Sequence, residues 1–238
     1  MRWDVHYVDH TGSTNADLLT LARAGAPAGT VLRAGHQTAG RGRLGRTWEA
    51  PPGSSLLASL LLPTEAVPFV TVARVALAAA DACRDLAFVD ADLKWPNDLM
   101  VGDRKLAGLL AETDAGSPSV VVGIGCNVAW PPADERPLAL RDRAVALSDL
   151  TAAPPGPAAL LDGLLARLDG WMLLPSDQVL DEYRVRCAML GERVRVEAGD
   201  QSFEGRATGI TPLGELVVAV GGASRLVSVG DVLHVRAW

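Results

Sequence analysis

Apolar positions recur along this chain with two different periods, and the change from one to the other divides it. Phe69, Val72, Ala73, Ala76, Leu77, Ala80 and Cys83 follow the i, i+3, i+4, i+7 spacing of a helix stripe that faces a core. The runs 30–34, 54–62 and 119–128 are instead short and almost wholly apolar, the pattern of strands buried on both faces. A hairpin is predicted from 91–95 and 98–101, turning at Gly102-Asp103 into 105–112. Thr14-Asn15-Ala16-Asp17 fits a capping box ahead of Leu18, Leu19, Leu21 and Ala22, with Gly25 as the stop. A proline-rich break at 154–157 precedes helical patterns at about 158–173 and 177–188. Beyond Arg193 the period becomes two. Strands are predicted at 193–198, 202–210, 215–220, 225–229 and 232–236, with turns at Gly199-Asp200, Pro212-Leu213-Gly214 and Gly221-Gly222.

Strands and helices of the first part interleave without regular βαβ alternation, which predicts an α+β fold rather than a doubly wound one. The expected division is a larger unit over 1–188 and a small β unit over 189–238. Five short strands in so few residues suit a small barrel docked on the first unit. No internal repeat and no low-complexity tail disturbs this plan.

Composition narrows the function classes. The chain has 238 residues, a net charge of −6 and a pI near 5.2, a balance that disfavours nucleic acid as a partner. Its longest uncharged window, 115–133, holds three glycines and three prolines and is no membrane span. Met1-Arg2-Trp3-Asp4 opens no signal peptide, and three distant cysteines (Cys83, Cys126, Cys187) give neither a disulfide framework nor a zinc spacing. A cytoplasmic protein is expected. Of its 22 basic residues only Lys94 and Lys105 are lysines, and its only asparagines are Asn15, Asn97 and Asn127. In a chain that uses arginine almost everywhere, a retained ammonium points to a place where a compact charge must reach one oxygen. His6, His10, His36 and His234 form no triad and no metal spacing.

Gly40-Arg41-Gly42-Arg43-Leu44-Gly45-Arg46 formally contains G-x-G-x-x-G. The dinucleotide reading needs a helix directly after it, and Thr47-Trp48-Glu49-Ala50-Pro51-Pro52-Gly53 cannot open one. No G-K-[ST] occurs anywhere, so a P-loop is excluded too. Three guanidinium forks on a glycine backbone, with almost no apolar anchor, suit a segment that orders over an anion. A solvated basic loop is the alternative.

The order of these segments carries a resemblance. Ser13-Thr14-Asn15, then 37–48 (Q-T-A-G-R-G-R-L-G-R-T-W), then Lys94-Trp95-Pro96-Asn97-Asp98, then Arg104-Lys105-Leu106-Ala107-Gly108, then 123–128 (G-I-G-C-N-V) closely resemble the biotin protein ligases over essentially the whole chain. The resemblance implies a mixed sheet with flanking helices, of the class II aminoacyl-tRNA synthetase/biotin ligase type, followed by a C-terminal SH3-like barrel. It implies an ATP-dependent enzyme that makes biotinyl-5′-AMP, with Mg2+ accompanying ATP. That enzyme then moves biotin to one lysine of a carboxylase's biotin carboxyl carrier domain. It also implies the short class without a DNA-binding domain, as monomer or homodimer.

By the same resemblance Lys105, Arg41 and Arg43 are the catalytic candidates. Ser13, Thr14, Asn15, Gln37, Gly42 and Gly108 join those three around biotin. Trp48, Lys94, Asn97 and Asn127 join them around the adenylate, and Asp98 is a candidate for contacting Mg2+. Thr14 has a rival role as helix N-cap, Trp48 as core, Lys105 as a surface lysine paired with Asp103, and Gly108 as a plain packing glycine. A lipoate or octanoate ligase and a non-catalytic biotin-binding module are the alternative functions.

Overall fold

The structure, a computed structural model, describes residues 1–114, 117–132, 135–136, 138–198, 201–228 and 231–234. The first half contains β1 (Asp4–Thr11), α1 (Thr14–Arg23), β2 (Thr30–Gln37), β3 (Ser55–Pro63), α2 (Pro68–Ala87), β4 (Asp92–Lys94), β5 (Asp98–Val101), β6 (Arg104–Glu112) and β7 (Ser119–Asn127). There follow α3 (Leu138–Arg141), α4 (Pro157–Leu173), α5 (Ser176–Val185), then β8 (Arg193–Ala198), β9 (Gln201–Ile210), β10 (Leu216–Val220), β11 (Ala223–Val227) and β12 (Asp231–His234).

The two longest apolar runs pair at the centre. Strands β3 and β7 are antiparallel neighbours in a seven-stranded sheet of order β1-β2-β3-β7-β6-β5-β4. Side chains alternate across a strand, so each run serves both faces. Leu56, Ala58, Leu60 and Leu62 of β3 join Val120, Val122, Ile124 and Cys126 of β7 in the main core beneath α2 and α4. Leu61 and Val121 point the other way, where Leu18 of α1 covers them in a smaller cluster. On that second face β7 carries Gly123 and Gly125, β6 carries Gly108, and β3 carries Ser59. A strip of sheet almost bare of side chains results, and the cleft lies on it.

Strand β1 was not anticipated. Its residues are mostly exposed and polar because it is the sheet edge, held parallel to β2 with Thr11 opposite Gln37. The capping box at Thr14 is corrected as well. Ser13 is the N-cap, without a side-chain cap bond, and Thr14 is the first helical residue. The carboxylate of Asp17 accepts from Thr11 Oγ1 rather than turning back to the helix end.

The C-terminal strands form an antiparallel sheet of order β11-β10-β9-β8-β12, with a bulge between Val217 and Val218, as the SH3-like reading expects. The strand expected at 232–236 is seen over Asp231–His234, and residues 235 and 236 lie outside the described residues. Among the described residues, three contacts help to hold this sheet to the first part. The indole Nε1 of Trp95, fully buried, donates to Gly214 O at 2.9 Å. Arg184 Nε donates to Ile210 O at 2.9 Å. Gly214 has φ +83° and lies so close to Phe69 that an added Cβ would meet it at 2.4 Å. The connecting chain itself pairs with the first sheet: Leu93 N donates to Arg186 O at 2.9 Å and Ala188 N to Leu93 O at 3.0 Å.

Candidate active site

The N-terminus of α1 and the end of β2 meet at one wall of the cleft. Parallel pairing of β1 with β2 brings Gln37 back to the residues that follow Thr11. Gln37 Oε1 accepts from Thr14 N at 2.8 Å and from Thr14 Oγ1 at 2.9 Å, so a side chain from a distant strand supplies the helix cap. Both lone pairs of that oxygen are used, and the group Gln37 can turn toward a ligand is its Nε2. Asn15 is buried beside it. Its Oδ1 would lie 2.2 Å from a Cβ on Gly123, so the glycine there makes room for an amide.

The lysine stands at the opposite wall. Lys105 Nζ lies 2.7 Å from Asp98 Oδ1, and the Asp103 pairing considered from sequence is replaced by this one. Its backbone is fixed from the other side: Lys105 N donates to Arg143 O at 2.8 Å and Val145 N donates to Lys105 O at 3.0 Å. Asn97 completes this wall, donating to Leu109 O at 2.6 Å and accepting from Arg43 at 3.3 Å. Tyr183 packs in the core behind. Burial pushes its phenol well above the ordinary value, with Cys187 and Asp98 adding to the rise, so it stays protonated.

The glycine-arginine loop closes over the cleft from β2. Gly42 N donates to Arg46 O at 2.7 Å, Trp48 N donates to Gly40 O at 2.9 Å, and Arg41 bridges Thr47. Leu44 at φ 55° and Gly45 at φ 74° make the tip. The apolar anchor missing from the seven residues is supplied just beyond them by Trp48. Its indole lies on bare sheet, 2.3 Å from a would-be Cβ at Gly125 and 3.0 Å from one at Gly108. Its ring centre is 5.4 Å from Lys105 Nζ, and its buried Nε1 has no hydrogen-bond partner among the described residues. Arg41 reaches Glu112 Oε2 at 3.0 Å.

Of the sequence-predicted residues, Ser13, Thr14, Asn15, Gln37, Arg41, Gly42, Arg43, Trp48, Asn97, Asp98, Lys105 and Gly108 all line this one cleft. Lys94 and Asn127 do not. Lys94 sits on β4 opposite Asp98. Asn127 is buried, its Nδ2 donating to Val145 O at 3.0 Å and to Lys105 O at 3.4 Å, which ties the segment after α3 to the lysine strand. A Cβ at Gly108 would meet Lys105 Nζ at 2.8 Å and Trp48 at 3.0 Å, so the bare backbone there makes room for those two side chains. Sequence reasoning missed Ser59 and Glu112, which lie in the apolar stretch of β3 and at the end of that of β6.

Two carboxylates, Asp98 and Glu112, border the cleft, and each faces a cation. Among the described residues no three histidine, cysteine or acidic side chains gather as a metal cage. This donor set would suit a Mg2+ carried mainly by phosphate oxygens, for which Asp98 would be the candidate protein carboxylate. The arrangement as a whole offers a polar wall for a neutral hydrogen-bonding head, and a point charge at the far end. Between the two, arginine forks can cover an anion.

Residues 7–129 match the Biotin/lipoate A/B protein ligase family and residues 189–235 match the Biotin protein ligase C terminal domain. The chain is 40% identical to a biotin–[acetyl-CoA-carboxylase] ligase of Mycobacterium tuberculosis over 96% of its own length and 88% of that protein's. It is 33% identical to one from Paracoccus denitrificans over 87% and 91%. Among solved structures, the biotin protein ligase from Aquifex aeolicus in complex with biotin and ATP superposes with a TM-score of 0.84 at 25% identity, covering 98% of this chain and 99% of that one.

Proposed function

The chain belongs to the Biotin/lipoate A/B protein ligase family, and from that membership we infer that it is a biotin–[biotin carboxyl carrier protein] ligase working in two steps. In the first, a carboxylate oxygen of biotin attacks the α-phosphorus of ATP, giving biotinyl-5′-AMP and pyrophosphate. In the second, the amine of a carrier-domain lysine attacks the activated carbonyl and AMP leaves. The acceptor is the carrier domain of acetyl-CoA carboxylase or a related carboxylase. Biotin and ATP are substrates, and Mg2+ enters with ATP. We place the reaction in the cytoplasm.

The observation that carries this reading is Lys105. It is one of only two lysines in the chain, and it stands in the same cleft as the arginine loop and the Thr14–Gln37 wall. Bringing a carboxylate against a phosphate brings two anions together, and a preorganised cation at that point is worth about 10²–10³ in rate. Its ammonium is held in place by Asp98, whose carboxylate an incoming substrate oxygen can replace as partner. Thr14, Asn15, Ser13 and Gln37 receive the ureido ring. Arg41, Gly42 and Arg43 cover the adenylate and keep water from a mixed anhydride. Asn97 and Trp48 serve the nucleotide end. Asn127 acts through the Lys105 backbone, and Lys94 remains the least supported of the set. Residues 1–188 carry this chemistry and residues 189–238 form the attached β unit.

Biotin-dependent exchange of labelled pyrophosphate into ATP tests the reading, with lipoate in parallel. Exchange with biotin alone is expected. Exchange with lipoate alone would move the chain to the other branch of its family, and none with either would leave only a binding role.

A further inference from the structure

A row of hydrogen bonds runs beneath the floor of the cleft from its head-binding wall to its arginine loop, and two of its members have no part in the reaction scheme above. Ser59, on β3, is wholly buried; Glu112 ends β6. Ser59 Oγ lies 2.7 Å from Thr14 Oγ1 and 2.5 Å from Asn15 Oδ1. Asn15 Nδ2 donates to Leu110 O at 3.1 Å and to Glu112 Oε2 at 2.7 Å. The same Glu112 oxygen accepts from Arg41 at 3.0 Å. We propose that Ser59 and Glu112 are positioning residues, which together hold the Thr14–Gln37 wall and Arg41 in one register for the reaction inferred above.

The chemistry of the row leaves little freedom. Turning the Asn15 amide over would set its oxygen against Leu110 O and Glu112, and its NH2 against Ser59 and Gly123, so its orientation is fixed. Gln37 Oε1 needs the Thr14 hydroxyl hydrogen. Three short contacts (Gln37–Thr14, Thr14–Ser59 and Ser59–Asn15) therefore share two hydroxyl hydrogens, and Ser59 must choose between its neighbours. Such a row is coupled by polarisation: whether Ser59 gives its hydrogen to Thr14 or to Asn15 changes how strongly the Asn15 amide donates to Glu112. Glu112 uses one oxygen for both donors, so an amide oxygen at that position can serve in its place.

The test is steady-state pyrophosphate exchange on Ser59→Ala, Glu112→Ala, Glu112→Gln and the double variant Ser59→Ala/Glu112→Ala. Loss of a buried hydrogen bond from the row should raise KM for biotin about tenfold in either alanine variant, with kcat changed far less, because the head contacts exist in ground and transition states alike. Residues that act as a unit give a double variant about as impaired as the worse single, whereas independent ones multiply to about a hundredfold. Glu112→Gln should return KM to within about threefold of the parent. A multiplicative double variant, or a Gln variant as poor as Ala, overturns the proposal. Where Ser59→Ala does not show the parent's thermal transition, the Ala–Gln pair at the partly exposed Glu112 decides alone. Failure of the parent itself to exchange with biotin would instead count against the function inferred for the site.

Discussion

On one face of the seven-stranded sheet, Asp81 of α2 takes Arg84 and Arg186 on one oxygen at 3.0 and 2.6 Å and the Trp171 indole on the other at 2.9 Å. On the opposite face, Asp98 meets Lys105 and Glu112 meets Arg41. The residue types are the same, and the surroundings differ. The Asp81 side chain is 6% exposed and has three donors, Arg84 of its own helix, Trp171 of α4 and Arg186 just after α5, so this cluster fastens α4 and the end of α5 to α2. The cleft cations keep 33% and 44% of their surface in solvent, and each pairs with a carboxylate. A saturated buried cluster holds a fold in place, while a part-exposed pair in a cleft can exchange its carboxylate for another anion at small cost. Alanine variants on the two faces should therefore fail in different ways.

The largest effect is expected at Asp81. Asp81→Ala leaves the Trp171 N–H without its buried partner and Arg186 with Glu182 alone, and should lower unfolding free energy by about 3–5 kcal/mol. Chemical denaturation reads this, and exchange activity per folded molecule should stay near the parent's. An activity loss as deep as the stability loss would erase the distinction between the faces. Lys105→Arg is next. It keeps the charge and should leave the denaturation midpoint nearly unmoved, yet exchange should fall about 10²–10³-fold, because a planar fork cannot occupy the ammonium's point.

Trp95→Phe, at the junction of the two units, removes one buried donor and should cost about 1–3 kcal/mol of stability. Melting curves would show it; an unchanged transition would mean that the Trp95–Gly214 bond adds nothing to docking. The smallest effect is one of pH. Hydrogen bonds from the Arg136 guanidinium hold the Asp149 carboxyl below its ordinary value. Desolvation opposes this, and the Ala146 N–H with the charges of Arg136 and Arg104 adds to it. A carboxyl lowered in the folded state contributes stability that is complete above the ordinary carboxylate value and is lost as pH falls through the lowered one. Stability should thus be flat from neutrality to about pH 5 and decline below about pH 4, and Asp149→Asn should flatten that decline.

The cleft was legible where rarity marked it. Lys105, Asn15 and Asn97 stand out in a chain poor in lysine and asparagine, and the arginine loop stands out by its density. Helix α2 was legible from its stripe and the C-terminal strands from their alternation. Ser59 and Glu112 were not, because a polar residue in an apolar strand acquires meaning only from register, and Ser59 gains its partners from α1, 44 and 45 residues away. The Thr14 capping box failed for the same reason: Gln37, 23 residues on, outcompetes the local partner. Edge strand β1 gave no apolar signal since it has little to bury. Rarity alone does not mark the lining, for Lys94 and Asn127 share the scarcity of Lys105 and Asn97 but lie outside the cleft.

The pairing of Leu93 with the chain at 186–188 has a consequence for solubility. Strand β4 is the last of its sheet and only three residues long, and its outer backbone is occupied by the connecting segment on its way to the second unit. An open strand edge is a template for another chain, so this crossing acts as a built-in guard against edge-to-edge association. A polypeptide cut before Arg186 would lose more than the small β unit. It would uncover that edge together with the indole of Trp95, and would associate with its own copies where the whole chain keeps its edge covered.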